Sequence, residues 1–138
     1  MIALPDVNVL VAAHDAEHVH HEPALAWLGN CAGFATTPLT EAGFVRILML
    51  PMLSAATFAQ AVAALRQLRA VAAWSSWPDD VTFVEPRVNM TGLLGAQQVT
   101  DFHLLNLAAR RGGRLVTFDA RLRGSVASGD RDLVEVLV

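Results

Sequence analysis

Four acidic residues stand where the predicted strands and helices begin or end. Asp6 and Asp119 follow short apolar stretches that predict buried strands, and Glu41 and Asp101 lie in the first turns of predicted helices. In a parallel α/β sheet, strand carboxyl ends and helix amino ends meet at one edge, so these carboxylates should converge in one crevice. Their repulsion at low dielectric would be relieved by a divalent cation, and ligands that are all oxygen favour Mg²⁺ or Mn²⁺.

Two of these acids also have a simpler structural interpretation. Asp6 can cap a helix that begins near Val7 and satisfy its free N–H groups. Glu41 can stabilise its helix by lying near the positive end of the helix dipole. From position alone, capping and metal binding are both open interpretations.

The order of the predicted elements is β-α-α-β-α-α-β-α-α-β-β, within a single domain over residues 1–138. This order indicates the α/β class, as a three-layer α/β/α sandwich with a mainly parallel central sheet. Strands are predicted at the start of Ile2–Val11 and at Phe34–Thr36, Val81–Val84, Leu115–Phe118 and Val134–Val138. The more clearly bounded helices are Pro38–Leu50, Ser54–Val71, Val88–Gly95 and Thr100–Arg111, the last capped by Thr100, and Trp74–Asp80 is predicted to be a loop.

The composition excludes several classes of protein. Hydrophobic residues make up 54% of the chain, which excludes a disordered protein. No apolar run of about 18 residues without interruption is present, and we expect a soluble, cytoplasmic protein. The single cysteine excludes a disulfide framework. All ten basic residues are arginine, which excludes enzymes that need a catalytic lysine amine, and the net charge of −3 argues against a protein that simply coats nucleic acid.

Three segments resemble the PIN-domain nucleases, most closely the VapC-type toxins of bacterial VapBC toxin–antitoxin pairs. They are PDVNVLVAA near the start, TPLTEAGFVRIL in the first third and VTDFHLLNLAARRGGRLVTFD near the end. The resemblance implies a PIN-like fold and a Mg²⁺- or Mn²⁺-dependent endoribonuclease. The implied catalytic and metal-binding residues are Asp6, Glu41, Asp101 and Asp119, with Asn8 and Thr117 as supporting polar residues.

The resemblance also implies partners. A VapB-type antitoxin would fill the crevice and lay a helix on the apolar hairpin predicted over Phe44–Val71. The substrate would be RNA, with tRNA as a candidate, and a homodimer within the toxin–antitoxin complex is expected. Arg46, Arg121 and Arg123 are the candidate contacts to RNA phosphates.

Other interpretations stay open at this stage. A receiver-type or phosphatase-type domain also clusters carboxylates around Mg²⁺, although such sites typically need a lysine. A PIN-fold module that binds a partner without catalysis is a further alternative. The histidine-rich segment His14–His21 is best explained as a solvated loop, with a zinc site as the alternative. Trp74 and Trp77 are candidates either for packing on a helix or for stacking on bases.

Overall fold

The computed structural model describes all residues, 1–138, and contains a five-stranded sheet in which every neighbouring pair is parallel. Its strands are β1 (Ala3–Pro5), β2 (Phe34–Thr36), β3 (Trp74–Ser76), β4 (Arg114–Thr117) and β5 (Val134–Val136). They are arranged in the order β3-β2-β1-β4-β5. The predicted α/β class with a mainly parallel sheet is confirmed, and β1 lies at the centre of the sheet.

Six α-helices connect the strands, and helices pack on both faces of the sheet. They are α1 (Val7–His14), α2 (His21–Asn30), α3 (Pro38–Leu48), α4 (Phe58–Arg69), α5 (Val99–Arg110) and α6 (Ala120–Ser125). One face of the sheet packs against α5 and α6 through residues such as Leu4 and Leu115. The other face packs against α1 to α4 through residues such as Phe34 and Val116. This is the predicted three-layer sandwich.

Two helix starts differ from the prediction. The helix predicted from Ser54 begins at Phe58, because Thr57 and Gln60 form a capping box and Ala55 has a φ of 49°, outside the helical region. Thr100 is not the cap of α5, because a 3₁₀ turn at Ala96–Gln98 leads directly into that helix and places Thr100 inside it. The predicted body of each helix is nevertheless correct.

The region between α4 and α5 was predicted least well. Trp74–Ser76 is a strand rather than a loop, since it pairs with β2 along its whole length. The strand predicted at Val81–Val84 and the helix predicted at Val88–Gly95 are wrong, because both segments are irregular. Hydrogen bonds from side chains distant in the sequence hold this region in place.

Asn106 accepts a hydrogen bond from the backbone N–H of Arg87 at 2.7 Å. Asp130 accepts one from the backbone N–H of Asn89 at 2.8 Å. Gly92 lies so close to the end of α6 that a Cβ there would collide with the carbonyl of Ser125. The two side-chain acceptors satisfy backbone N–H groups that are not part of a helix or strand.

Two short helical elements were not predicted from the sequence. They are α6 and a 3₁₀ helix over Ser128–Leu133, both between β4 and β5. The final strand was predicted, and it forms one edge of the sheet. No helix of the protein is both long and apolar enough to cross a membrane.

Candidate functional site

Asp6 follows the central strand and is buried, with 7% of its surface exposed. Its Oδ1 accepts a hydrogen bond from the Val9 N–H at 3.1 Å, so Asp6 does cap α1. Its Oδ2 accepts one from the Thr117 hydroxyl at 2.6 Å. Burial nevertheless raises the pKa of Asp6, the two hydrogen bonds oppose this, and the charge of Asp119 raises it further.

Asp101 lies in the first turn of α5, and its side chain makes no hydrogen bond or ion pair within the chain. The pKa of Asp101 is raised to about 6, mainly by partial burial and in addition by the negative charges of Asp6 and Asp119. Three aspartates from β1, α5 and the end of β4 are therefore close enough to repel one another. We call Asp6, Asp101 and Asp119 the acidic cluster.

Asp119 follows β4 and caps the short helix α6. The Oδ1 atom of Asp119 accepts a hydrogen bond from the Arg121 N–H at 2.9 Å. The backbone N–H of Asp119 donates a hydrogen bond to the Thr117 hydroxyl oxygen at 3.0 Å. Thr117 thus connects Asp6 and Asp119 directly. Asp119 and Asp101 line one polar depression together with Gln98 and other residues.

Glu41 is held differently from the acidic cluster. The buried hydroxyl of Thr36 donates a hydrogen bond to Glu41 Oε2 at 2.6 Å, and Arg69 Nε lies 3.8 Å from the same oxygen. Trp74 completes this group, since its indole N–H donates to the Thr36 hydroxyl and its ring lies 4.4 Å from the Arg69 guanidinium carbon. Glu41 does not contribute to the raised pKa of Asp6 or Asp101.

The two tryptophans, Trp74 in β3 and Trp77 just after it, both make contacts within the protein. Trp74 contacts Thr36 and Arg69, and Trp77 is buried in the core. Both tryptophans serve packing and hydrogen bonding in this structure, which is the first of the two interpretations given above.

Asp79 connects helices α3 and α5, and sequence reasoning missed this contact. One carboxylate oxygen accepts the Leu39 N–H at 2.9 Å in the first turn of α3, and the other lies 3.1 Å from His103 Nε2 on α5. Helix α3 carries Glu41 and α5 carries Asp101. No local sequence signal identifies this contact, because Asp79 is 40 residues from Leu39 and 24 from His103.

The three candidate arginines lie in different surroundings. Arg121 lines a depression beside Asp119 that Asn8 also lines. Arg123 lies in another depression, with Asp132 and residues of β5. Arg46 is exposed on α3 and forms no ion pair. Of these three arginines, the structure brings only Arg121 to the acidic cluster.

The acidic cluster has the chemistry of a divalent cation site, although its side chains are not arranged as a finished one. No three Asp, Glu, His or Cys side chains lie together in a group that could coordinate one ion. The donors are nevertheless all oxygens, and Asp101 has no basic partner in the chain. Mg²⁺ is often held by only one or two carboxylates with water completing its shell, so these residues fit such an ion.

Comparison with known proteins assigns the chain to a family. Residues 3–124 match the PIN domain family, and the chain belongs to that family. Among curated relatives, Ribonuclease VapC39 of Mycobacterium tuberculosis is 46% identical over 142 residues, which covers 99% of this chain and 100% of the relative. Ribonuclease VapC38 of the same species is 49% identical over 123 residues, covering 86% of each chain.

A solved structure supports the same fold. The crystal structure of VapBC2 from Rickettsia felis, bound to a DNA fragment from its promoter, contains a chain that matches with a TM-score of 0.65. The match covers 100% of both chains at 14% identity, so it is similar to this protein in fold.

Proposed function

We propose that this protein is a Mg²⁺- or Mn²⁺-dependent endoribonuclease, acting in the cytoplasm as the toxin of a toxin–antitoxin pair. The observation that carries the proposal is the acidic cluster, in which Thr117 joins Asp6 to Asp119, Asp119 lines one depression with Asp101, and Asp101 has no basic partner. Partly buried carboxylates that repel one another, with one of them lacking a basic partner, are typical of a functional site. The relatives named ribonucleases support the RNA substrate, since VapC39 aligns with nearly the whole chain.

Each residue of the site has a separate role in this proposal. Asp101 and Asp119 would hold the cation, and Asp6 would join them with its orientation fixed by Thr117. A divalent cation bound there would supply positive charge that polarises a phosphodiester and lowers the pKa of water. Glu41 would accept a proton from the attacking water at Oε1, since its hydrogen bond from Thr36 uses Oε2. Arg121 would contact a phosphate oxygen.

The partner in this proposal is a VapB-type antitoxin. Its binding surface would be the apolar depression between the first four helices, which is lined mostly by apolar side chains including Leu10, Phe44 and Leu68. An apolar groove between helices suits an amphipathic helix. Exposed apolar residues at the α3–α4 connection, Met52 and Leu53, would support the proposed homodimer.

The decisive experiment is RNA cleavage by purified protein with Mg²⁺ or Mn²⁺ and then with EDTA. We expect cleavage that EDTA abolishes and that Asp101→Asn lowers at least 100-fold. Glu85→Gln is the matched control, because Glu85 is an exposed acid outside the crevice and its loss should change the rate by less than twofold.

Two results would contradict the proposal. Undiminished cleavage by Asp101→Asn would remove the proposed role of the cluster. No cleavage of total RNA under any metal condition, together with tight binding of the antitoxin, would indicate a PIN-fold binding module without catalysis. Sequencing the ends of the cleaved RNA would identify the target, for which tRNA is one candidate.

A further inference from the structure

The histidine-rich segment between α1 and α2 forms a row of aromatic rings that ends next to the acidic cluster. The ring of His20 stacks on Phe118, with centroids 4.4 Å apart and planes inclined by 15°. The ring of His18 follows at 5.8 Å from His20, inclined by 40°. Because Phe118 directly precedes Asp119, this aromatic row of Phe118, His20 and His18 leads away from the site of the proposed chemistry.

Hydrogen bonds fix the row while leaving polar groups free. His18 Nδ1 accepts a hydrogen bond from the His20 N–H at 3.0 Å, which makes Nε2 the protonated nitrogen of the neutral ring and a free donor. His21 anchors the end of the segment, since its Nδ1 lies 2.7 Å from the Ala12 carbonyl oxygen. His20 itself is exposed and makes no side-chain hydrogen bond within the chain. The segment is therefore ordered, while both nitrogens of the His20 ring and Nε2 of His18 form no hydrogen bond within the chain.

The aromatic row shares one depression with Asp119 of the acidic cluster. Its lining includes His18, His20, Asp119 and Arg121, and the Arg121 side chain is 95% exposed. This depression is polar and aromatic, unlike the apolar groove assigned above to an antitoxin helix. Aromatic rings beside an exposed arginine suit a nucleotide, because bases stack on rings and phosphates bind guanidinium groups. A phosphate would compete with the exposed ion pair between Arg121 Nε and Asp119 Oδ1 at 3.5 Å.

We propose that the aromatic row binds a nucleobase of single-stranded RNA next to the phosphate held at the acidic cluster. The base would stack on the exposed ring of His20, supported from below by Phe118, and His18 Nε2 would donate a hydrogen bond to it. This inference rests on the proposed ribonuclease function and specifies where the substrate lies. It also predicts a preference for unpaired RNA, since a base within a duplex cannot reach a stacking surface.

The test is RNA binding by full-length protein that carries Asp101→Asn, so that the probe is not cut. The probes are fluorescein-labelled single-stranded 12-nucleotide RNAs of uridine or adenosine, measured by fluorescence anisotropy with Mg²⁺. We expect His20→Ala to weaken binding about tenfold, as expected for loss of one stacking contact. His20→Phe should retain binding within about threefold, because it keeps a ring on Phe118.

Val19→Ala is the matched control, since Val19 is an exposed neighbour in the same segment and does not line the depression. Equal affinities for His20→Ala and Val19→Ala, or no RNA binding by the parent chain, would overturn the inference. So would a His20→Ala variant that loses only the capture of a co-expressed antitoxin, which would make the row a protein interface. Failure of the wild-type protein to cleave RNA would instead contradict the proposed function, and it is measured separately.

Discussion

The ends of β2 and β4, which we call the two sides of the site, each hold a carboxylate through the same kind of hydrogen bond. The charged residues around the two carboxylates differ. On each side a buried threonine at the end of a strand donates a 2.6 Å hydrogen bond to a carboxylate, Thr117 to Asp6 and Thr36 to Glu41. On the β2 side, Arg69 also stands beside the carboxylate at 3.8 Å. On the β4 side Arg121 pairs with Asp119 at 3.5 Å, but no basic residue pairs with Asp101. The difference indicates that the chain neutralises Glu41 itself and leaves Asp101 to an external cation.

The largest effect is expected when the threonine of each side is replaced by valine. Thr117→Val removes the donor to buried Asp6 and the acceptor for the Asp119 N–H, and should lower the free energy of unfolding by about 2–3 kcal/mol. Thr36→Val removes the donor to Glu41 and the acceptor for the Trp74 indole N–H. It should lower the free energy of unfolding by about 1–2 kcal/mol, because Glu41 retains Arg69 and both Glu41 and Trp74 are partly exposed to water. Urea denaturation measures both, and a greater loss from Thr36→Val would contradict the comparison.

The next effect concerns the contact that joins the two sides. Asp79→Ala removes the acceptor for the Leu39 N–H and the partner of His103, and should lower the free energy of unfolding by about 1–2 kcal/mol. The control is Asp80→Ala, since Asp80 is an adjacent acid whose ion pairs with Arg110 and Arg111 lie at the surface. Thermal unfolding should separate the two variants, and equal midpoints would show that Asp79 does not connect the helices energetically.

A smaller effect should be visible in the pH dependence of stability. The pKa of Asp101 is about 6 in the folded protein and 3.8 in the unfolded chain, so the unfolded state binds fewer protons between these values. Stability of the metal-free protein should therefore fall as pH rises from about 4 to about 6, by about 1 kcal/mol after allowing for the partial exposure of Asp101. Asp101→Asn should remove this decrease. A wild-type profile that Asp101→Asn leaves unchanged would show that the pKa of Asp101 is not raised in the folded protein.

The smallest effect is expected on the compensated side. Arg69→Gln removes an exposed ion pair and a cation–π contact with Trp74, which together should be worth less than about 1 kcal/mol. Arg66→Gln, in the last turn of the same helix, is the control and should change nothing measurable. A loss of more than about 2 kcal/mol from Arg69→Gln would mean that the two sides are more alike than their contacts suggest.

The sequence predicted the parts of the site that depend on local chain direction. A buried strand followed by an acid placed Asp6 and Asp119 at the sheet edge, and the helix start placed Asp101 near them. These predictions succeeded because the carboxyl ends of parallel strands must share one edge. That the carboxylates bind a metal, and that Glu41 acts with them, stay predictions.

The missed features depend on contacts between distant residues. Trp74–Ser76 has no alternating apolar pattern, and it is a strand because β2 offers it a pairing edge. Arg69 meets Glu41 only after α3 and α4 pack together, and Asp79 meets His103 only after the sheet is assembled. Such contacts are tertiary, and no local pattern in one sequence indicates them.

The most direct test of the central claim is Mn²⁺ binding followed by electron paramagnetic resonance on wild-type protein, Asp101→Asn and Glu41→Gln. The acidic cluster, with Asp101 lacking a basic partner, predicts one saturable Mn²⁺ in the wild type. It also predicts an affinity lowered at least tenfold by Asp101→Asn and a change of less than about threefold for Glu41→Gln. The wild type failing to bind Mn²⁺, or all three proteins binding it equally, would contradict the account.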